Sequence, residues 1–138
     1  VAGDADIIAK FLLYRTYHGC AMNPAVQAAS TTAWNEEAHV IENRRLYTEK
    51  FNTIAPMLKQ VWPAVEMPDA AFYLWVQTGQ DDTELALQLY RDLNITVLPG
   101  SFLARNAHGI NPGKGFIRIA LVATLKECVE AAQRIQQR

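Results

Sequence analysis

The sequence predicts an α/β fold in which helices cover a small three-stranded sheet. Short apolar runs typical of strands occur at residues 72–76, 95–99 and 116–122. Apolar residues at helical spacing lie between the first two runs and again after the third. The order from residue 62 onward is therefore strand, helix, strand, strand, helix, and these elements pack as layers around one core.

The composition limits the class of protein. The 138 residues suffice for one domain, and 50% of them are apolar, which excludes a disordered chain. The formal net charge is -1, so we expect no nucleic-acid partner. No apolar run approaches the ~18 residues of a membrane span, so we expect a soluble protein without a membrane partner. The two cysteines are too few for a disulfide framework, which favours a reducing, cytoplasmic compartment.

The first residues carry neither the basic segment nor the cleavage site of a signal peptide. Because the chain also begins with Val1, we interpret the sequence as part of a longer protein. Residues 1–33 contain helix signals but no strand. Asp4 or Asp6 can cap a first helix that ends near His18, and Asn23 followed by proline opens a second helix.

A long polar helix is predicted from about residue 35 to residue 61. Pro56 lies within this stretch and is expected to kink or restart the helix. A helix of this kind often bridges two bodies. Its apolar residues recur on one stripe, at Tyr47, Phe51, Ile54, Leu58 and Val61.

The remaining elements follow from local signals. The run 72–76 is apolar on both faces, so we predict that it is the central strand. Asp81 with Glu84, and Thr124 with Glu127, are predicted to form capping boxes at the last two helices. Residues 104–115 are rich in Gly, Asn and Pro and are predicted to be a loop. We expect residues 62–138 to form the ordered core and residues 1–33 to rest on another chain.

Arg118 is the main candidate functional residue. Strand alternation places Ile117 and Ile119 on one face of the third strand and Arg118 on the other. A guanidinium in so apolar a strand is unfavourable unless it is paired. One interpretation is a clamp for a ligand carboxylate, which the planar guanidinium binds through two parallel hydrogen bonds. The other is an internal ion pair with Asp or Glu, which the residues alone favour.

Other patterns are weaker. Glu36 and His39 have the Glu-x-x-His spacing of di-iron bundles, but such a site needs a second copy, so we predict a solvated helix face. Cys20 near His18 lacks an orienting third group and is not predicted to be catalytic. Tyr17 and His18 could line a pocket or a subunit contact, although partly buried packing is the simpler interpretation.

The run ITVLPGSFLARNAHGINPGKGFIRIALV resembles the end of class I aminotransferases that use pyridoxal phosphate. In that family a strand ending in V-x-P-G-x-x-F, where this chain has VLPGSF with the Phe one position earlier, precedes a Gly-rich loop and a strand of the form G-x-x-R-I/L-A/S. The resemblance covers essentially the whole chain, although Ala70 or Ala71 stands where the family often has Gly. Within the class, LLYRTYHGCAMNP is similar to the succinyldiaminopimelate aminotransferases of lysine biosynthesis.

The resemblance implies a domain organisation and a site. Residues 1–33 would be a remnant of the large cofactor-binding domain, residues 34–61 the bridging helix, and residues 62–138 the C-terminal small domain of the fold type I transferase fold. Arg118 would grip the α-carboxylate of an amino-acid or keto-acid substrate. Tyr17, His18 and Asn23 would line a pocket or contact the partner subunit of a homodimer.

The resemblance also implies that the complete enzyme binds pyridoxal 5'-phosphate and moves an amino group between glutamate and a keto acid. The family's Schiff-base lysine would lie before Val1. This chain alone is therefore expected to hold no cofactor, no metal and no catalytic residue, and to be inactive. Two alternatives remain: a stand-alone carboxylate-binding or regulatory module, and a structural domain in which Arg118 is paired internally. The lysines that match no family position are Lys10, Lys50, Lys59, Lys114 and Lys126.

Overall fold

The computed structural model describes residues 1–19 and 21–138, and this part of the chain forms six helices and three strands. The chain divides into an N-terminal unit, Val1–Val40, and a C-terminal unit, Ile41–Arg138. The predicted α/β class is confirmed, while the division at residues 33 and 61 stays a prediction. The elements are α1 (Ala5–Tyr17), α2 (Pro24–Asn35), α3 (Ala38–Lys59), β1 (Tyr73–Gln77), α4 (Asp82–Leu93), β2 (Leu98–Pro99), α5 (Gly100–Leu103), β3 (Phe116–Ala120) and α6 (Leu125–Gln136).

The two helices of the N-terminal unit begin where their capping residues predict. The Asp4 carboxylate accepts a hydrogen bond from the backbone N of Asp6 at 3.0 Å, and α1 ends at Tyr17 with His18 as its C-cap. The Asn23 side chain accepts from the backbone N of Ala25 at 2.8 Å and caps α2. No described residue of α1 or α2 is buried.

The sheet of the C-terminal unit has the strand order β1-β3-β2, and both pairings are antiparallel. The prediction that residues 72–76 form the central strand is wrong, because β3 occupies the centre. Alternation along a strand reports which faces of the sheet are covered, whereas a central position depends on pairing at both edges. An apolar pattern on both faces of β1 therefore carried no information about its neighbours.

One face of the sheet forms the core. Leu74 and Val76 of β1, with Ile117 and Ile119 of β3, are buried and face the helices. The core extends beyond the predicted residues 62–138, because α3 also contributes to it. The other buried apolar residues of the helices are Phe51, Ile54, Ala55 and Leu58 of α3, Leu85 and Leu89 of α4, and Cys128, Ala132 and Ile135 of α6.

Helix α3 continues through Pro56 from Ala38 to Lys59, so the predicted restart does not occur. Proline costs a helix interior about 3 kcal/mol through the lost hydrogen bond and a steric clash. Pro56 is exposed, while Ala55 and Leu58 are buried in the core. Packing of this apolar stripe offsets the local cost and keeps the helix whole.

The last helix starts at a complete capping box. Thr124 accepts from the backbone N of Glu127 at 3.3 Å, and the Glu127 carboxylate accepts from the backbone N of Thr124 at 2.9 Å. At α4 the Asp81 carboxylate accepts from the backbone N atoms of Thr83 and Glu84. Among residues 1–19 and 21–138, no helix combines the length and the apolar character needed to cross a bilayer.

Candidate functional site

Arg118 lies in the middle of the central strand. In the strand register it is opposite Trp75 of β1 on one side and Leu98 of β2 on the other. Ile117 and Ile119 point to the core, so Arg118 projects from the opposite face, as alternation predicts. Trp75 and Leu98 are each 39% exposed, and Arg118 itself is half-buried. The guanidinium therefore stands on a partly open face of the sheet.

The surroundings of this guanidinium are aromatic and apolar. The Cζ atom of Arg118 lies 5.4 Å from the centroid of the Tyr73 ring. Trp75 and Phe116 stack beside it, with ring centroids 5.6 Å apart and an interplanar angle of 14°. A hydrogen bond to an ionised group is electrostatically stronger in such surroundings than in bulk water. This face suits the capture of an anion by Arg118.

No carboxylate of the described residues forms an ion pair with Arg118. The Arg118 Nε atom is buried and has no hydrogen-bond partner in that part of the chain. The internal ion pair, which the residues alone favoured, is therefore absent from residues 1–19 and 21–138. An unpaired guanidinium on a half-open face is the arrangement that a carboxylate clamp requires.

Asp82 fixes the backbone at the entrance to β3. Its carboxylate is buried, with Asp82 only 1% exposed, and accepts from the backbone N of Ser101 at 2.9 Å and of Gly115 at 3.0 Å. Burial acts most strongly and would raise its pKa, but the hydrogen bonds from Ser101 and Gly115 together hold the pKa below its usual value. Asp82 thus ties the start of α4 to α5 and to the residue that precedes β3.

Two glycines let the loops around β3 pack backbone to backbone. A Cβ atom at Gly100 would collide with the carbonyl oxygen of Gly113 and would lie 2.8 Å from that of Phe116. Asn111 holds this contact, because its Nδ2 donates to the Ser101 carbonyl at 2.9 Å and its Oδ1 accepts from the backbone N of Gly113 at 2.9 Å. The Pro-Gly motif and the Gly-rich loop therefore set together how the chain enters β3.

The other predicted site residues belong to the N-terminal unit. His18 caps α1 and stacks on Tyr14 at 4.6 Å between ring centroids, and Tyr17 is 79% exposed. Asn23 caps α2. Their predicted pocket or subunit contacts remain predictions. Cys20, interpreted above as non-catalytic, lies outside the described residues.

Glu36 and His39 serve the start of α3. The two side chains contact each other, and the Glu36 carboxylate accepts from the backbone N of Ala38 at 2.7 Å. The hydrogen bond from the His39 ring lowers the pKa of Glu36. In residues 1–19 and 21–138, no three His, Cys, Asp or Glu side chains are grouped so that they could hold a metal ion. The side chains of Glu36 and His39 therefore lie at a solvent-exposed helix end.

Sequence reasoning missed two residues around the site. Strand alternation places Tyr73 on the face of Trp75, but nothing else in the local sequence distinguishes this aromatic residue. Its contact with Arg118 depends on the register of β1 against β3, which no local signal specifies. Asp82 stands at an ordinary first helical position, and its partners are 19 and 33 residues away.

Comparison with known proteins places the chain among aminotransferases. Residues 5–135 match the family model described as aminotransferase class I and II. A probable aminotransferase of Mycobacterium tuberculosis is 31% identical over 98% of this chain and 31% of its own length. The LL-diaminopimelate aminotransferase of Syntrophobacter fumaroxidans is 30% identical over 98% of this chain and 34% of its own length. The chain thus spans about a third of the length of these curated relatives.

Solved structures support the same relationship. An aminotransferase from Neisseria meningitidis is 52% identical, with a TM-score of 0.84 over 99% of this chain and 35% of that one. A probable N-succinyldiaminopimelate aminotransferase from Thermus thermophilus is 39% identical, with a TM-score of 0.53 over 67% of this chain and 24% of that one. The sheet that carries Arg118 and the loops that lead into β3 are therefore parts of a known fold. This chain belongs to the class I and II aminotransferase family.

Proposed function

We propose that the complete protein is a pyridoxal-phosphate-dependent aminotransferase that moves an amino group between glutamate and a keto acid, with Arg118 as the residue that binds the substrate α-carboxylate. The observation that carries this proposal is the guanidinium of Arg118, half-buried on an aromatic face and unpaired by any carboxylate of the described chain. Membership of the aminotransferase family supports it. The activity belongs to the complete protein, since this chain spans about a third of its curated relatives.

Arg118 acts by binding and orienting. Its planar guanidinium offers two parallel N–H donors to the two oxygens of a carboxylate, so it sets the plane of the substrate as well as its position. Fixing the carboxylate turns the amino or keto group of the substrate toward the reacting centre, which removes rotational freedom before the chemical step. Lysine offers a point charge without a defined plane and is a poor replacement.

In such enzymes, pyridoxal phosphate supplies the electron sink for reaction at the substrate α-carbon. The resemblance assigns the cofactor lysine to none of the lysines here. The contacts of Lys50 agree with its exclusion as the cofactor lysine. Its Nζ donates to the Leu121 carbonyl at 2.9 Å and lies 4.9 Å from the centroid of the Tyr47 ring. Residues outside this chain are proposed to hold the cofactor, and this chain to supply the carboxylate grip.

The proposed amino-acid substrate is N-succinyl-diaminopimelate, which would place the enzyme in lysine biosynthesis. Its support is the 39% identity to the Thermus thermophilus protein named a probable N-succinyldiaminopimelate aminotransferase. Relatives at about 30% identity are named LL-diaminopimelate aminotransferases. The substrate in that name has the same diaminopimelate carbon skeleton. A carboxylate clamp at Arg118 suits either compound, since both carry an α-carboxylate.

The complete protein is further proposed to act in the cytoplasm as a homodimer on small amino and keto acids. Tyr17, His18 and Asn23 would contribute to a pocket or to the contact between subunits. All three are exposed in the N-terminal unit, at the end of α1 and the start of α2. Exposed aromatic side chains of this kind are enriched where one protein surface meets another.

The test is transamination by the complete protein, with glutamate as donor and the keto form of N-succinyl-diaminopimelate as acceptor. Arg118→Ala should lower kcat/KM, and the decrease should correspond to a loss of about 2–4 kcal/mol of transition-state stabilisation, since the charged hydrogen-bonding partner of the substrate carboxylate is removed. Arg91→Ala, at an exposed position on α4, is the matched control and should leave kcat/KM unchanged. Equal kcat/KM in Arg118→Ala and the unmodified enzyme would remove Arg118 from the site. Carboxylate binding without any transamination would favour a non-catalytic binding module.

A further inference from the structure

The guanidinium of Arg118 lies against an aromatic ring and forms no ion pair with a carboxylate of residues 1–19 and 21–138. It lies over the ring of Tyr73, whose centroid is 5.4 Å from Cζ. Its Nε is buried and has no hydrogen-bond partner among the described residues. A long, flexible side chain that lacks an ion pair would otherwise sample many rotamers, and ordering it on ligand binding costs free energy.

The strand register explains this contact. Arg118 is opposite Trp75, while Tyr73, two residues away on the same face of β1, is opposite Ala120. Diagonal neighbours on one face of an antiparallel pair are close enough for long side chains to meet. The small side chain of Ala120 leaves room over which Arg118 can reach the Tyr73 ring. That ring is supported in turn by Phe72, which meets it edge-on with centroids 5.4 Å apart and an interplanar angle of 87°.

The chemistry of the contact suits a residue that must stay available to a ligand. A carboxylate partner would neutralise the guanidinium and occupy its N–H donors. An aromatic ring attracts the cation through the negative charge of its π face and accepts none of those N–H donors in a strong hydrogen bond. The ring thereby restricts Arg118 while leaving its donors free for a substrate.

We propose that Tyr73 is a positioning residue, which holds the guanidinium of Arg118 in the orientation that captures the substrate α-carboxylate. This inference rests on the proposed function, because it concerns the same carboxylate grip. The aromatic ring carries the effect and the hydroxyl group does not. Tyr73→Phe should therefore preserve the function, and Tyr73→Leu should impair it.

The experiment compares Tyr73→Leu and Tyr73→Phe in the complete protein. Steady-state kinetics with glutamate should show KM raised about fivefold to thirtyfold in Tyr73→Leu, with a smaller change in kcat, and nearly normal values in Tyr73→Phe. Calorimetric titration with glutarate, an unreactive dicarboxylate, should show the same loss of affinity without any turnover. Tyr90→Leu, at an exposed position on α4, is the control and should match the unmodified protein.

A double-mutant cycle shows whether Tyr73 acts through Arg118. In an Arg118→Lys background, Tyr73→Leu should have little further effect on glutarate affinity, because the planar cation that the ring positions is gone. Independent, additive losses would overturn the inference, as would Tyr73→Phe behaving like Tyr73→Leu. Glutarate binding that ignores Tyr73 would overturn this inference alone. An unmodified protein that neither binds glutarate nor transaminates glutamate would overturn the proposed function and this inference together.

Discussion

Helices α1 and α6 both contain apolar residues at helical spacing, but only α6 buries them. In α1 of the N-terminal unit, Ile7 is 66% and Leu12 is 68% exposed, and no residue of the helix is buried. In α6 of the C-terminal unit, Cys128, Ala132 and Ile135 are buried in the core. An apolar stripe at helical spacing indicates that a surface is to be covered, but it does not identify what covers it.

The difference depends on whether the same unit contains a sheet on which its helices can pack. The C-terminal unit contains a sheet whose core face is covered by α3, α4 and α6. The described residues of the N-terminal unit form helices only, so they provide no sheet on which an apolar stripe can pack. Burial, and with it folding free energy, is therefore concentrated in the C-terminal unit, which also carries Arg118.

The largest expected effect tests this contrast with one substitution made at two places. Leu89→Ala removes a fully buried side chain of α4 and should lower the free energy of unfolding of the 138-residue chain by about 2–5 kcal/mol. Leu12→Ala removes an exposed side chain of α1 and should change it by less than about 0.5 kcal/mol. Urea denaturation followed by circular dichroism gives both values. Equal losses at the two sites would show that α1 is as well packed as α4.

Local chemistry was readable from the sequence in both units. Asp4, Asn23 and Thr124 cap helices where predicted, because a cap depends on residues two or three positions away. The face of Arg118 follows from the two-residue period of a strand. The central position of β3 was not readable, because strand order and register are set by contacts between distant segments.

The same limit applied to the surroundings of Arg118. Its two interpretations, ion pair and clamp, differ only in what lies near the guanidinium. Tyr73 is 45 positions away, on a strand that pairs with β3 across the α4 segment. The sequence specified the unusual residue and its face. The folded structure was needed to show an aromatic ring where a carboxylate was favoured.

Asp82 provides a second way to sharpen the contrast, because it ties together three parts of the C-terminal unit. Asp82→Asn replaces one accepting oxygen by an NH2 group that faces a backbone N–H donor. The free energy of unfolding should fall by about 1–3 kcal/mol, measured by denaturation at pH 7. Asp92→Asn, an exposed charge removal on the same helix, is the control and should cost little. A loss no greater than in this control would mean that the two backbone bonds do not need the carboxylate.

The pH dependence of this tie has a defined sign. The pKa of Asp82 is lower in the folded chain than its usual value, so its stabilising contribution is present above the unfolded pKa of about 3.9. That contribution is lost as the pH falls through the folded pKa. The stability difference between the unmodified chain and Asp82→Asn should therefore be constant near neutral pH and shrink below about pH 4. A difference that grows on acidification would contradict the direction of the shift.

A third comparison uses one glycine from each unit. Gly100→Ala forces a Cβ atom against the Gly113 and Phe116 carbonyls, and overpacking of this kind costs about 1–3 kcal/mol. At Gly3 the nearest atom to an added Cβ is 4.0 Å away, so Gly3→Ala should be neutral within about 0.5 kcal/mol. In the complete enzyme, Gly100→Ala should also weaken glutarate binding, because the loop that it displaces leads into β3. Normal stability and normal glutarate affinity would show that the two loops can separate without moving Arg118.

The smallest expected effect is a gain in stability. Ala71 has φ +83°, a left-handed conformation that disfavours any side chain with a Cβ atom, and it immediately precedes the residues that enter β1. Ala71→Gly relieves this strain but increases the entropy of the unfolded chain, so the net gain should be about 0.5–1 kcal/mol. Ala70 is also exposed but does not have a positive φ, so Ala70→Gly should instead cost about that amount. Opposite signs at two adjacent alanines, read from the urea midpoint of each variant, would locate the strain at one residue. A loss at both positions would show that the loop before β1 relaxes freely, so that the positive φ of Ala71 stores no strain.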